Sequence, residues 1–377
     1  MGDRIYLSSP HMCGSELRFV HEAFDTNWVA PLGKNVDEFE HAVEKFIGRP
    51  YAVALSSGTA AIHLGLKALG VKAGDIVFCS SLTFSASANP IRYLGAEPVF
   101  IDSETDTWNM CPKALQLAYK KYPNPKAVVV VNIYGNPAQF DEIKAITTKH
   151  NTPILEDAAE SLGASYKGVQ TGNFGDVSIF SFNGNKIITT SGGGMALTKT
   201  KQMRDKILFW ATQSREQAAW YQHSELGYNY RLSNICAGIG RGQMTALALR
   251  VKRKTDIYSL YKNCFEGNNF ISMMPIAKDT VPNFWLSVIQ IDSGCKKGFL
   301  DVIAALESVS IEARPVWKPM HLQSYYSGCD FMSLQKNQSI SEQIFNRGLC
   351  LPSDTKMSNE DVKLVAGIVN SVLGGCR

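Results

Sequence analysis

From about residue 50 to residue 200, short apolar runs alternate with amphipathic stretches, and this rhythm admits few architectures. The runs are YAVAL (51–55), IVFCS (76–80), PVFI (98–101), AVVVV (127–131), PILED (153–157), VSIFSF (177–182) and GGMALT (193–198). Most are apolar at nearly every position rather than at every second one, as expected of strands covered on both faces. Between them, TAAIHLGLKAL (59–69) and CPKALQLAYKKY (111–122) place apolar residues at helical spacing. The alternation predicts an α/β fold with a mostly parallel, seven-stranded sheet flanked by helices. In such sheets ligands collect at the carboxyl ends of the strands. Asp157 stands at one of them.

After about residue 245 the rhythm changes. TALALRVKRKTDIYSLYKNCF reads as a long helix, FWLSVIQID (284–292) and VSIEARPV (309–316) as short strands, and NEDVKLVAGIVNSVL (359–373) as a closing helix. The expectation is a large α/β domain over 1–245, including an N-terminal substrate loop, and a smaller α+β domain over 246–377. No repeat or low-complexity linker separates them.

Charge and cysteine usage narrow the function classes. A net charge of +4 over 377 residues, without a basic stripe, gives no footprint for nucleic acid. The densest cluster, Arg250, Lys252, Arg253 and Lys254, reads as the solvated face of a helix. Nine cysteines occur as singles with no C-x-x-C pair, and the histidines form no H-E-x-x-H motif. That pattern predicts reduced thiols, no metal site and a cytoplasmic setting. No run is apolar and long enough to span a membrane.

Three segments carry chemistry. Lys186 follows Asp157 by 29 residues, just beyond the next apolar run and between Asn183-Gly184 and SGGG (191–194). A carboxylate ending one buried strand and a lysine just past another match the needs of pyridoxal phosphate (PLP). The lysine amine condenses with the cofactor aldehyde, and the carboxylate keeps the pyridine nitrogen protonated. The lesser alternative for Asp157 is an N-cap for AAESLG. Glu160, one turn on, faces a cofactor or substrate, or else solvent. In SSGTAAIHLGL (56–66) a strand ends and a helix begins; Ser57, Gly58 and Thr59 suit a phosphate there, or plain N-capping. Ser181 adds a further hydroxyl.

Together SSGTAAIHLGL, TFSASANPI (83–91), VNIYGNPAQFDEI (131–143), LEDAAESLGASYKG (155–168), FSFNGNKIITTSGGGM (180–195) and GYNYRLSN (227–234) resemble the DegT/StrS-type nucleotide-sugar aminotransferases, fold-type I PLP enzymes. SSPHMCGSEL, WVAPLGKNVDEFE (28–40) and RPVWKPMHLQ (314–323) resemble the UDP-4-keto-6-deoxy-N-acetylglucosamine C4-aminotransferases of bacillosamine biosynthesis. The resemblance implies that Lys186 and Asp157 are catalytic. It implies that Gly58, Thr59 and Ser181 hold the phosphate, that Phe84 stacks on the ring, and that Asn229 reaches the site of the other subunit of a homodimer. It nominates His11, Trp317 and His321 for the sugar nucleotide, although Phe84 and Trp317 also read as core aromatics and His321 as a loop histidine. The implied reaction moves the amino group of L-glutamate, by way of pyridoxamine phosphate, to a UDP-linked ketosugar. The competing readings are amination of another nucleotide ketosugar, a PLP-dependent sugar dehydratase, and a scaffold without cofactor.

Overall fold

The computed structural model describes residues 4–335 and 339–374. The seven expected strands form one sheet. Its order is Ala52–Leu55, Gly194–Thr198, Val177–Ser181, Ile154–Asp157, Ala127–Val131, Ile76–Ser80, Glu97–Ile101, with an eighth strand, Phe331–Met332, at the edge. Gly194–Thr198 runs against both its neighbours; every other pairing is parallel. The eighth strand is a two-residue return from late in the chain, too short to carry a period, so the sequence pattern does not announce it.

Alternate residues of each strand enter different cores. Val77, Val129, Leu155 and Val177 pack with Ile62 and Leu66 on one face. Phe78, Val128, Val130 and Ile154 pack with Leu115, Phe140 and Ile143 on the other. Removing each such side chain from water contributes about 1.5–3 kcal/mol. The helix Gly58–Ala68 lies unusually close to the sheet: a Cβ on Gly65 would stand 2.9 Å from Leu155 Cδ1 and 3.1 Å from Val177 Cγ1. Glycine there costs about 1 kcal/mol of helix propensity and permits the approach.

In register, Val131 lies opposite Asp157 and Asp157 opposite Ile179, while Leu55 and Ser181 both face Gly194. The ends at Val131 and Asp157 therefore stand level, and the strand ending in Ser181 runs two residues further. Among later residues, an antiparallel sheet is ordered Ile271–Met273, Ser287–Ile291, Gly348–Leu351, Arg314–Pro315. It packs with helices Leu247–Cys264, Phe299–Glu307 and Asn359–Gly374 around Ile257, Ile289, Leu306, Leu349 and Val365.

Two expectations need correction. The basic cluster is not a solvated face: only Lys252 points outward, where it pairs with Asp256, whereas Lys254 is 2% exposed. Arg250 binds His11, and Arg253 donates to the Met357 carbonyl. Helix 247–264 is covered by the N-terminal segment and by the chain after Leu351, contacts invisible to local charge spacing. The expectation of reduced thiols holds for seven described cysteines but not for Cys295, which is disulfide-bonded. Among the described residues no helix is long and apolar enough to cross a membrane.

Candidate active site

The carboxyl ends of the sheet strands open onto a cavity of about 310 Å³. Ser57 and Gly58 enter it after Ala52–Leu55, Thr83 and Ser87 after Ile76–Ser80, and Asp157 and Ser181 as the last residues of their strands. Lys186 and the Gly192-Gly193 turn come from the link between Val177–Ser181 and Gly194–Thr198.

The helix Gly58–Ala68 starts at the cavity. Its N-cap, Ser57, accepts from Ala60 N at 3.0 Å, so the hydroxyl serves the helix. The first-turn N–H groups of Gly58 and Thr59 have no partner within the helix and carry the positive end of its dipole. A Cβ on Gly58 would stand 3.0 Å from Ser181 Cβ and 3.3 Å from its hydroxyl oxygen. Glycine therefore lets helix end and serine approach as an anion cradle.

Asp157 is buried, with Oδ2 accepting from Ser87 Oγ at 2.6 Å and Oδ1 from Ala159 N at 3.1 Å. No helix follows it; 158–163 is a chain of turns. Burial pushes its carboxyl above the usual range, against the Ser87 hydroxyl, the Ala159 N–H and the Lys186 charge. Glu160 is buried too, and Oε2 accepts from Tyr134 N at 2.7 Å. Burial raises its carboxyl as well, opposed first by Lys186. Lys186 Nζ lies 3.6 Å from Glu160 Oε1 and 4.0 Å from the centre of the Trp285 ring. Lysine and both carboxyls thus share one desolvated enclosure.

Phe84, Trp285 and Trp317 also line the cavity, and Tyr134 packs behind them. Tyr134 lies between Trp285 and Trp317, roughly parallel to each at 6.4 and 6.3 Å. Its hydroxyl accepts from Trp317 N at 2.7 Å. Phe84, half-exposed, tilts against Trp317 at 5.2 Å.

The cavity thus brings together Ser57, Gly58, Thr59, Phe84, Asp157, Glu160, Ser181, Lys186 and Trp317. Three expected residues lie off it. His321 is held by Ser81 Oγ at 2.6 Å and Glu342 Oε1 at 3.1 Å and stacks on Phe331. His11 is bound by Thr355 and Arg250. Asn229 is exposed and accepts from Gln213. Ser87, Tyr134, Asn185 and Trp285 were not anticipated. Ser87 sat within TFSASANPI, and Trp285 within the expected strand FWLSVIQID, but no spacing marked either.

The donor set fits PLP on the evidence of the cavity itself. A buried carboxylate faces it ready for a cationic ring, a helix end and serine meet where only glycine fits, and one lysine projects between them. The fold and this site define a PLP-dependent transferase. The chain belongs to the DegT/DnrJ/EryC1/StrS aminotransferase family, whose model matches residues 11–370. It is 48% identical over 365 residues to EpsN of Bacillus subtilis (strain 168), provisionally described as a pyridoxal phosphate-dependent aminotransferase, covering 96% of this chain and 94% of that one. It is 35% identical over 362 residues to GDP-perosamine synthase of Escherichia coli O157:H7, covering 96% of each. Identity is 32% over 346 residues, and 90% of each chain, with UDP-4-amino-4,6-dideoxy-N-acetyl-beta-L-altrosamine transaminase of Campylobacter jejuni subsp. jejuni serotype O:23/36 (strain 81-176). In structure it matches the aminotransferase TlmJ from Streptoalloteichus hindustanus with TM-score 0.89 at 25% identity, over 98% of this chain and 99% of that one. The protein is a PLP-dependent sugar aminotransferase.

Proposed function

We propose that the protein transfers the amino group of L-glutamate to the C4 ketone of a UDP-4-keto-6-deoxy-N-acetylhexosamine, giving a UDP-4-amino-4,6-dideoxy sugar for glycan biosynthesis. The observation that carries the chemistry is the convergence of Asp157, Lys186 and the helix end at Gly58 on one cavity. The UDP and C4 assignments rest on WVAPLGKNVDEFE and RPVWKPMHLQ, and on the name of the Campylobacter relative. Its GDP-linked counterpart in Escherichia coli favours a second reading, the same amination on a GDP-linked ketosugar.

Bound PLP supplies an aldehyde that condenses with amines and a protonated ring that takes up electrons. The N–H groups of Gly58 and Thr59 and the Ser181 hydroxyl hold the phosphate. Asp157, fixed by Ser87 and Ala159, keeps the ring nitrogen protonated. Lys186 would be the residue that holds the cofactor through its amine, and that amine would serve as the base that holds and returns a proton in the cavity. Glu160 faces Lys186 and keeps a carboxyl oxygen toward its amine. Phe84 would pack against the ring, and Trp317 would line the way in for the sugar. Asn229 lies outside its own cavity, which accords with a homodimer in which it reaches the phosphate of the partner's site. His11 and His321 stay proposals for the sugar nucleotide, each requiring a change of its present bonds.

The test incubates PLP-loaded protein with L-glutamate and a panel of UDP-, dTDP- and GDP-linked 4-ketosugars, reading 2-oxoglutarate and product mass. Amination of the UDP-N-acetyl sugar alone supports the assignment, and turnover only with a GDP sugar replaces it with the second reading. Lys186→Ala should abolish turnover on every member; normal rates in that variant would refute the role of Lys186.

A further inference from the structure

Lys254 is a buried cation that the chemistry above does not use. It sits on helix Leu247–Cys264 at 2% exposure, and burial pushes its ammonium down to about 7. Its three bonding partners are neutral oxygens: the carbonyls of Trp285 and Ser353, each at 2.8 Å, and Ser8 Oγ at 3.4 Å. Asp354 acts on it through space but bonds to Ser9. An ammonium without a bonded counterion costs folding energy that a methionine of similar length would not. A stability role therefore explains it poorly.

Its partners lead to the reactive lysine. Ser8 Oγ donates to the Asn185 carbonyl at 2.9 Å, and Trp285 Nε1 donates to the same oxygen at 2.7 Å. Asn185 directly precedes Lys186, and the Lys186 ammonium lies against the Trp285 ring. The Trp285 backbone N–H donates in turn to Asn283 Oδ1 at 2.9 Å. We infer that Lys254 is a positioning residue: it ties Ser8 and Trp285 together so that both fix the backbone entering Lys186 and the ring on which that amine rests. The inference builds on the proposed role of Lys186. It assigns Lys254 no contact with substrate or cofactor.

Lys254→Met keeps the stem and removes the donors, Lys254→Gln keeps donors without charge, and Ser8→Ala cuts one arm at a half-buried site. Three readouts apply: acrylamide quenching of Trp285 in cofactor-free protein (by difference from Trp285→Phe), the rate at which Lys186 captures PLP, and kcat against KM. Misplacing a reacting group by about 1 Å costs on the order of 10²-fold. Lys254→Met should therefore slow capture and lower kcat by about 10- to 100-fold with KM for the sugar within about threefold. Trp285 quenching should rise, Lys254→Gln should fall between Lys254→Met and the parent, and Ser8→Ala should show a smaller loss of the same kind. In a Trp285→Phe background Lys254→Met should add little, since the two act as one unit. Unchanged quenching and capture in Lys254→Met overturn the inference. If that variant does not fold, unchanged capture in both Ser8→Ala and Lys254→Gln overturns it equally. Borohydride reduction of the PLP-loaded parent followed by peptide mass mapping separates the failures: label absent from Lys186 defeats the role of Lys186 itself, whereas label on Lys186 with unaffected variants defeats only the role of Lys254.

Discussion

Replacing Asp157 with asparagine should move stability in opposite directions with and without cofactor. Without cofactor, burial holds the Asp157 carboxyl above its unfolded value. Between the two values the folded state binds the proton more tightly, so stability falls as pH rises through that window. At neutral pH the ionised group is then a net cost to folding. Asparagine keeps the volume, an oxygen for Ala159 N and an amide N–H that the Ser87 hydroxyl can accept in its turn, so the cofactor-free variant should melt at the parent temperature or a few degrees above it. With PLP bound, the charge that balances the ring nitrogen is missing. Breaking one side of a buried charge pair costs about 3–5 kcal/mol, or roughly 10²- to 4 × 10³-fold in affinity. Thermal unfolding with and without PLP, together with a PLP titration followed by absorbance, measures both arms. A variant that binds PLP within about threefold of the parent, where about 1.4 kcal/mol is already tenfold, would refute the pairing of Asp157 with the ring.

Gly58→Ala should weaken PLP by about tenfold or more while leaving pyridoxal, which lacks the phosphate, little changed, because the added Cβ stands 3.0 Å from Ser181 Cβ; competitive binding of the two compounds checks this. Trp317→Ala removes the ring stacked on Tyr134 and touching Phe84, and should raise KM for the sugar by about tenfold with kcat within about threefold, read from steady-state kinetics. His63 is pushed down to about 4 by burial and then by the Lys67 charge. Its folded value lies below its unfolded one, so the unfolded chain binds more protons between about pH 6.5 and pH 4, and stability drops as pH falls through that window. The loss should reach on the order of 2 kcal/mol at pH 4 and be absent in His63→Gln, as denaturant midpoints across the range will show.

The sheet was legible because its strands are buried on both faces and read as unbroken apolar runs. Asp157 and Lys186 were legible because each follows such a run directly, where strand ends meet in any parallel sheet. Phe331–Met332 escaped because two residues hold no period. Trp285, Tyr134 and Lys254 escaped for another reason: each acts through partners far along the chain, such as the Lys254 bonds to Ser8 and Ser353. The same distance rule turned the basic cluster from an expected solvated face into a set of buried or bridging groups. His321 carried a motif, yet its two ring nitrogens are taken by Ser81 and Glu342, segments the motif does not contain.

The glycine at position 65 gives the helix that begins at Gly58 a fulcrum. Its end lies at the cavity, and its second turn rests directly on Leu155 and Val177, with no side chain between. Leu155 belongs to the strand that ends in Asp157, and Val177 to the strand that ends in Ser181. One contact beneath the sheet thus sets the spacing among all three groups that line the cavity. A methyl group added there, remote from the chemistry, would tilt the anion cradle away from the carboxylate. Loss of affinity from so distant a position would reflect leverage rather than any lost contact with the ligand.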